Sequence, residues 1–349
     1  MTNIRAKFGV RLPVSGPFAG VNSITTTATA AEKLGFDGLW GQDYITWTKE
    51  LHTVHISCGS FETLKPDQKP NFYEVFSTLN FVAGITKRIP LGISVVIAPL
   101  RDPILAAKQL SMIDNFSNGR LIAGMGIGAT RATKNADFEV LGVSRLEKNQ
   151  RTDEFVEITL GLWNEKNDKF SYEGKHFHFE DAEMFPKPIQ RPHPPIWFAG
   201  TIDKALVRTA KYGEGWIPGG LSPEEYSKSV SFIKRSAKER FNRDISQMTV
   251  ANQIYVSVDR NSEKARQNAK ATLLNNSKVY DVFIGENAFQ RAVGVSLIGS
   301  PEEIVEQVKR FGEVGGVNYY EMKFIYQSLD HLRDQMELFS KEVMPSFSE

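Results

Sequence analysis

The chain predicts an α/β protein of one architecture, a (β/α)8 TIM barrel with insertions. Three observations predict it. Short apolar runs alternate with amphipathic stretches along the whole chain, the pattern of βαβ units and a parallel sheet. Strand-like runs begin near residues 6, 36, 91, 120, 195, 215, 248 and 317, eight in all. The first run is followed by Pro13-Val14-Ser15-Gly16-Pro17, which lacks the G-x-G-x-x-G turn that a doubly wound sheet carries there. A length of 349 residues would also suit two domains, but a barrel of about 250 residues with additions holds it in one. The surplus falls near 48–71, 166–192 and 260–298.

Residues 6–12 read as the first strand and 24–34 as a helix that Gly35 stops. Residues 36–41 form the second strand. Residues 72–84 are helical, and 91–98, rich in Ile and Val, form the third strand. Pro103 opens the next helix, where its missing N–H costs little. That helix runs to about Phe116, and Asn118-Gly119 turns the chain into a strand at 120–126. A long amphipathic helix covers 147–163. Residues 169–181 alternate aromatic and polar side chains around Glu173-Gly174, a hairpin pattern. Pro186, Pro188, Pro192, Pro194 and Pro195 then stiffen the approach to Ile196-Trp197-Phe198-Ala199. A helix at 203–212 ends at Gly213, and 215–218 is a short strand. Ser222-Pro223-Glu224-Glu225 and Ser300-Pro301-Glu302-Glu303 are matched helix starts, with Ser at the cap, Pro first and Glu third. Strands at 248–258 and 317–324 and a helix at 331–343 complete the order.

Lys and Arg total 42 against 41 Asp and Glu, a formal net charge of +1. That balance speaks against broad electrostatic binding of nucleic acid or of an anionic membrane. No apolar run approaches a membrane span, and Met1-Thr2-Asn3-Ile4-Arg5 has no signal core. Cys58 is the single cysteine, which excludes an intrachain disulfide framework. These features point to a soluble cytoplasmic protein.

Barrel active sites lie at the C-terminal strand ends, so the residues there are the candidates. Asp43, Tyr44 and Trp47 follow the second strand. A carboxylate, a phenol and an indole together suit ring binding and proton movement; alternatively Asp43 caps and the aromatics pack. Gly124, Gly126 and Gly128 alternate after the fourth strand, spaced unlike a dinucleotide fingerprint. They allow close backbone approach either to a flat ligand or to a neighbouring strand. Ala199-Gly200-Thr201 joins the fifth strand to a helix, a place for an anion at the helix N-terminus; an ordinary cap by Thr201 or Asp203 explains this stretch somewhat better. His176 and His178 suit a surface pair better than half a metal site. His52, His55 and Cys58 share a loop, but no fourth zinc ligand is evident. No metal site is expected. Asp37 and Glu214 read as solvated or capping acids.

The run from Pro103-Ile104-Leu105-Ala106-Ala107-Lys108-Gln109-Leu110 through Asn118-Gly119-Arg120-Leu121 to Gly124-Met125-Gly126-Ile127-Gly128 resembles the bacterial luciferase-like monooxygenase family. The resemblance continues at Phe138-Glu139-Val140-Leu141-Gly142-Val143, Arg151-Thr152-Asp153-Glu154, Tyr172-Glu173-Gly174, Pro186-Lys187-Pro188, Pro195-Ile196-Trp197-Phe198-Ala199-Gly200 and Gly213-Glu214-Gly215-Trp216. It covers essentially the whole chain. It implies a barrel that binds coenzyme F420 or FMN at its mouth, a small organic substrate and a homodimer. Gly215-Trp216-Ile217-Pro218 and the Asp43…Trp47 spacing look like the F420-dependent branch. There an Asp-His pair follows the second strand; here Tyr44 stands for the histidine. Ala129 stands where some members carry a glutamate. Both departures speak against a sugar-phosphate dehydrogenase mechanism. The resemblance also implies a non-proline cis peptide at Ser94-Val95 beside the ring, with Gly200 and Thr201 at the cofactor phosphate. Three functions follow from it. The first is hydride transfer with F420, with Tyr44 as proton donor and Trp47 shaping the substrate side. The second is monooxygenation with FMN reduced by a partner reductase. The third is flavin binding without turnover.

Overall fold

The computed structural model describes residues 4–46, 71–128, 136–166, 168–280 and 288–348. Its centre is eight parallel strands: β1 (Lys7–Arg11), β2 (Gly38–Gly41), β3 (Leu91–Ile93), β4 (Leu121–Gly126), β5 (Ile196–Phe198), β6 (Gly215–Trp216), β7 (Thr249–Val258) and β8 (Tyr319–Phe324). Each pairs with the next in sequence. The ring closes where Lys7 to Val10 of β1 lie beside Tyr319 to Met322 of β8. A closed ring has no sheet edge, so the open doubly wound sheet is excluded.

The period of two along each strand sorts side chains between two cores. Outward residues such as Phe8, Val10, Leu91, Tyr320 and Met322 join the large core beneath the helices. Inward residues make a smaller cluster of Trp40, Trp197, Ile217, Ala251 and Tyr319. The Trp40 and Trp197 rings lie 5.2 Å apart, and Trp40 Nε1 donates to the Tyr319 hydroxyl at 2.9 Å. This packed floor confines the chemistry to the other end of the barrel.

Local signals placed the helices well. The helix Pro103–Phe116 starts where Asp102 accepts from the Leu105 amide. Both Ser-Pro-Glu-Glu starts form complete capping boxes, on Pro223–Phe241 and Pro301–Gly315. Two predicted elements differ. The helix expected from 72 begins at Val75 because Glu74 caps it, while Asn71–Phe72 pairs with Ser15–Gly16. The strand expected at 91–98 is interrupted: β3 ends at Ile93, and Val96–Ile97 resumes beside Met125 and Gly126.

The insertion near 166–192 carries the predicted hairpin, Phe170–Glu173 with His178–Ala182. Glu154 holds its turn by accepting from the amides of Lys175, His176 and Phe177. The region at 260–298 holds the helices Ser262–Tyr280 and Ala288–Gly294 and leads into an unpredicted strand, Leu297–Gly299, which extends the sheet beside the end of β7. The third insertion, near 48–71, falls almost wholly outside the described residues. Among the described residues no helix is long and apolar enough to cross a membrane.

Candidate active site

Above the aromatic floor the barrel lumen turns polar. Arg11, the last residue of β1, points inward and meets Glu321 of β8 through two bonds, Nε–Oε1 at 2.6 Å and Nη2–Oε2 at 3.0 Å. Its remaining donors reach Gln42 Oε1 at 3.0 Å, Ser94 Oγ at 2.9 Å and Gln253 Oε1 at 3.2 Å. The Glu321 side chain is fully buried, and a buried carboxylate stays charged only when it is paired and hydrogen-bonded in this way. One guanidinium thus ties the end of β1 to groups just beyond β2 and β3 and to inward residues within β7 and β8. Sequence reading missed Arg11 and Glu321; inward register marks each as a lumen residue, but nothing local marks their pairing.

Asp43 sits just beyond β2, and both its oxygens are engaged. Oδ2 accepts from the Ile97 amide and from Arg101 Nε, each at 2.9 Å, and Oδ1 from Arg101 Nη2 at 2.6 Å. Arg101 also bonds Glu74 at 3.0 Å and lies 4.3 Å over the Phe76 ring. Burial works against the Arg101 charge, but the bonds and charges of Asp43 and Glu74 together outweigh it and raise the pKa. Asp43 therefore fastens β2 to the resumed part of β3 and to the helix Val75–Ile85. Tyr44 turns from it and packs on Phe72, ring centroids 4.8 Å apart. Trp47 lies outside the described residues, as do Ala129, His52, His55 and Cys58. Arg101 was not among the sequence candidates, although it too follows the third strand.

The interruption of β3 is a cis peptide between Ser94 and Val95. The Ser94 amide donates to Gly41 O at 2.8 Å. The alternating glycines of β4 make room for it. A Cβ at Gly124 would run into the Ile93 carbonyl oxygen, and one at Gly126 would stand 2.6 Å from Val95 Cγ2. Two of the three glycines are thus explained by a neighbouring strand. Gly128 has φ of 79° and turns the chain off β4 in the left-handed region. Val95 and Ala199 both pack on the aromatic floor, and a Cβ at Gly126 would lie near both of them, so the structure brings Ser94, Val95, Gly126 and Ala199 together.

Gly200 follows with φ of 107°, its carbonyl accepting from Trp216 Nε1 at 2.9 Å. The next helix, Asp203–Tyr212, has Ile202 at its cap and no side-chain bond to its first amides. Neither Thr201 nor Asp203 caps it, so the ordinary-cap explanation fails, and the first amides of the helix have no side-chain partner at the positive end of its dipole.

On the opposite rim Lys323 follows Tyr319 and Glu321 at inward positions of β8. Its Nζ lies 5.3 Å over the ring of Tyr255, its register partner on β7. Phe18 and Tyr326 meet nearby in sequence, centroids 5.5 Å apart.

Other candidates find structural explanations. The His176 side chain is buried, 7% exposed, with Nδ1 3.7 Å from Glu147, so it is no surface partner of the exposed His178. Asp37 accepts from the Phe8 amide at 2.8 Å and Glu214 from the Ile196 amide at 2.9 Å; they fasten strand starts. Among the described residues no three His, Cys, Asp or Glu side chains cluster as metal ligands.

A closed barrel whose polar side chains gather at the C-terminal strand ends is the architecture of a barrel enzyme. This chain belongs to the luciferase-like monooxygenase family, whose model matches residues 4–318. It is 26% identical over 337 residues to the oxygenase component of a flavin-dependent trigonelline monooxygenase of Acinetobacter baylyi, covering 88% of this chain and 87% of that one. The fold matches monooxygenase RslO1 of Streptomyces bottropensis with a TM-score of 0.78 and 21% identity, over 98% and 100% of the two chains. It matches an F420-dependent secondary alcohol dehydrogenase with a TM-score of 0.77 and 19% identity, over 99% and 100%. Relatives of both cofactor types are therefore represented.

Proposed function

We propose that this chain transfers hydride between coenzyme F420 and a small organic substrate at the C-terminal mouth of the barrel. The observation that carries the proposal is the surface where Gly124 and Gly126 admit the Ile93 carbonyl and Val95 beside Ala199, at the turn to an uncapped helix. That surface fits a flat ring with an anionic tail. Ser94, Val95, Gly126, Gly128 and Ala199 would lie against the ring, and Gly200 and Thr201 would hold the phosphate at the helix N-terminus. When bound, the deazaflavin supplies or accepts a hydride at C5. Tyr44 would give or take the accompanying proton and Trp47 would shape the substrate side of the ring. Asp43 serves by position, holding Arg101 and the Ile97 amide so that the end of β3 keeps its shape.

The preference for F420 over FMN rests on the Asp43…Trp47 spacing and on Gly215-Trp216-Ile217-Pro218. The likeness to a flavin-dependent trigonelline monooxygenase supports a second reading, monooxygenation with FMN reduced by a partner enzyme. Absorbance titration of cofactor-free protein with each compound separates the two. Tighter binding of F420 supports the first; tighter FMN, with oxygen uptake when a reductase is supplied, supports the second; binding of neither sinks both. Under either reading Tyr44→Phe should lower kcat by about 100-fold or more, the scale of a lost proton donor. Full turnover by a protein carrying both Tyr44→Phe and Trp47→Ala would remove these residues from the mechanism. A homodimer is the expected assembly, to be read by sedimentation equilibrium.

A further inference from the structure

We propose that Lys323 is the anchor of an anion subsite on the β7–β8 rim, and that the substrate is an organic compound bearing a carboxylate or similar oxyanion. The proposal rests on the active-site reading above and deepens it by naming the substrate class. Three features carry it.

The first is placement. Tyr319, Glu321 and Lys323 alternate along β8, and the first two are fixed in the lumen by their contacts with Trp40 and Arg11. Period two puts Lys323 in the lumen as well, one step closer to the mouth.

The second is that, among the described residues, no uncommitted counter-charge faces Lys323. The inward neighbours facing Lys323 are Arg11 from β1, Tyr255 and Gln253 from β7, and Glu321 from its own strand. Glu321 gives both oxygens to Arg11, and Gln253 Oε1 is taken by Arg11 as well. Among the described residues Lys323 makes no ion pair or hydrogen bond; its recorded contact is the face of Tyr255. A half-buried ammonium offset only by a ring face and by a Glu321 already engaged by Arg11 is costly, and an apolar residue there would be more stable. A bound oxyanion supplies the missing partner with a charge-assisted hydrogen bond.

The third is the electrostatic setting. Burial, helped by the nearby Arg11 charge and opposed by Glu321, lowers the Lys323 pKa to about 7. Two cations and one carboxylate share this corner, which leaves it net positive when Lys323 is protonated. Tyr44 stands on the β2 side, so a substrate held by its anionic end at Lys323 leaves its reacting end free to extend across the mouth.

The test uses calorimetric titration of the protein without cofactor and with F420 or FMN present. The probes are butyrate, benzoate and 4-oxopentanoate, each beside its neutral amide. The carboxylates should bind about tenfold or more tightly than the amides at pH 6.5. Their affinity should fall about tenfold per pH unit above pH 7, with uptake of one proton on binding at pH 8, because only the ammonium form takes the anion. Lys323→Met and Lys323→Gln should abolish the preference for carboxylate. Lys323→Arg should keep it and lose the pH dependence. Equal binding of acid and amide to the wild type, no carboxylate binding under any condition, or a preference that survives in Lys323→Met overturns the proposal. So does a Lys323→Met protein that loses F420 or FMN binding, which would assign the residue to the cofactor. The wild-type pH profile needs no variant to fold. Carboxylate discrimination without any cofactor binding would sink the oxidoreductase reading and leave the subsite standing.

Discussion

Arg101 shows how much one side chain holds at the mouth. Its removal by Arg101→Ala would leave Asp43, whose side chain is fully buried, with its charge uncompensated, at a cost of about 3–5 kcal/mol. Urea unfolding should show that loss, and Asp43→Asn in the same background should recover part of it. Lys at 101 should not restore the wild type, because the bidentate fork to Asp43 needs a guanidinium. Gly126 makes a second residue-scale prediction. Gly126→Ala puts a methyl 2.6 Å from Val95 Cγ2 and should cost about 1–3 kcal/mol, read by thermal melting, whereas Val95→Ala in the same protein should relieve it. Neither effect was legible in the sequence. The glycine run announced close approach, but its partner is a side chain some 30 residues earlier, and no local pattern links them. Arg11 and Glu321, 310 residues apart, were hidden for the same reason. Lys323 was accessible: the alternation of Tyr319, Glu321 and Lys323 ends the last strand with an inward charge.

Single elements were the most readable level, because their signals are local. Asp102-Pro103 and the two Ser-Pro-Glu-Glu starts specify helix beginnings through bonds three residues long, and the structure forms all three. The third strand escaped because its Ile and Val content is continuous, while its interruption is set by the Ser94–Val95 turn and the packing of β4. The two capping boxes predict different consequences. Glu225 serves its own helix. Glu303 accepts from the Ser300 amide and also from Ser262 and Arg266 of the neighbouring helix Ser262–Tyr280. Glu225→Ala should therefore cost about 1 kcal/mol, and Glu303→Ala more. Hydrogen exchange should show Ser262–Tyr280 losing protection only in the second variant.

At the scale of the molecule, the order of strands and the absence of the phosphate turn were enough to predict a closed barrel, because eight parallel strands joined by helices leave few alternatives. Which polar groups line its lumen is a property of closure itself, since residues from both ends of the chain meet only when β8 reaches β1. That lumen predicts a global pH effect. Lys323 has a folded-state pKa near 7 against an ordinary value of 10.5. Between these values the unfolded chain binds more protons than the folded one, so stability rises with pH. The contribution is complete above about 10.5 and is lost as pH falls through 7. The difference in unfolding free energy between wild type and Lys323→Met should follow that window, and a flat difference would place Lys323 in water.

The seating of the Ser94–Val95 turn on β4 also bears on how such barrels can diverge. Residues 91–97 and 121–126 share one volume, so neither can be exchanged alone. A chimera joined between them with a relative that carries any side chain at position 124 or 126 would start with two atoms in one place. Crossovers that preserve folding should fall outside 91–128, so that the two strands are inherited as a block while the surrounding mouth is free to vary.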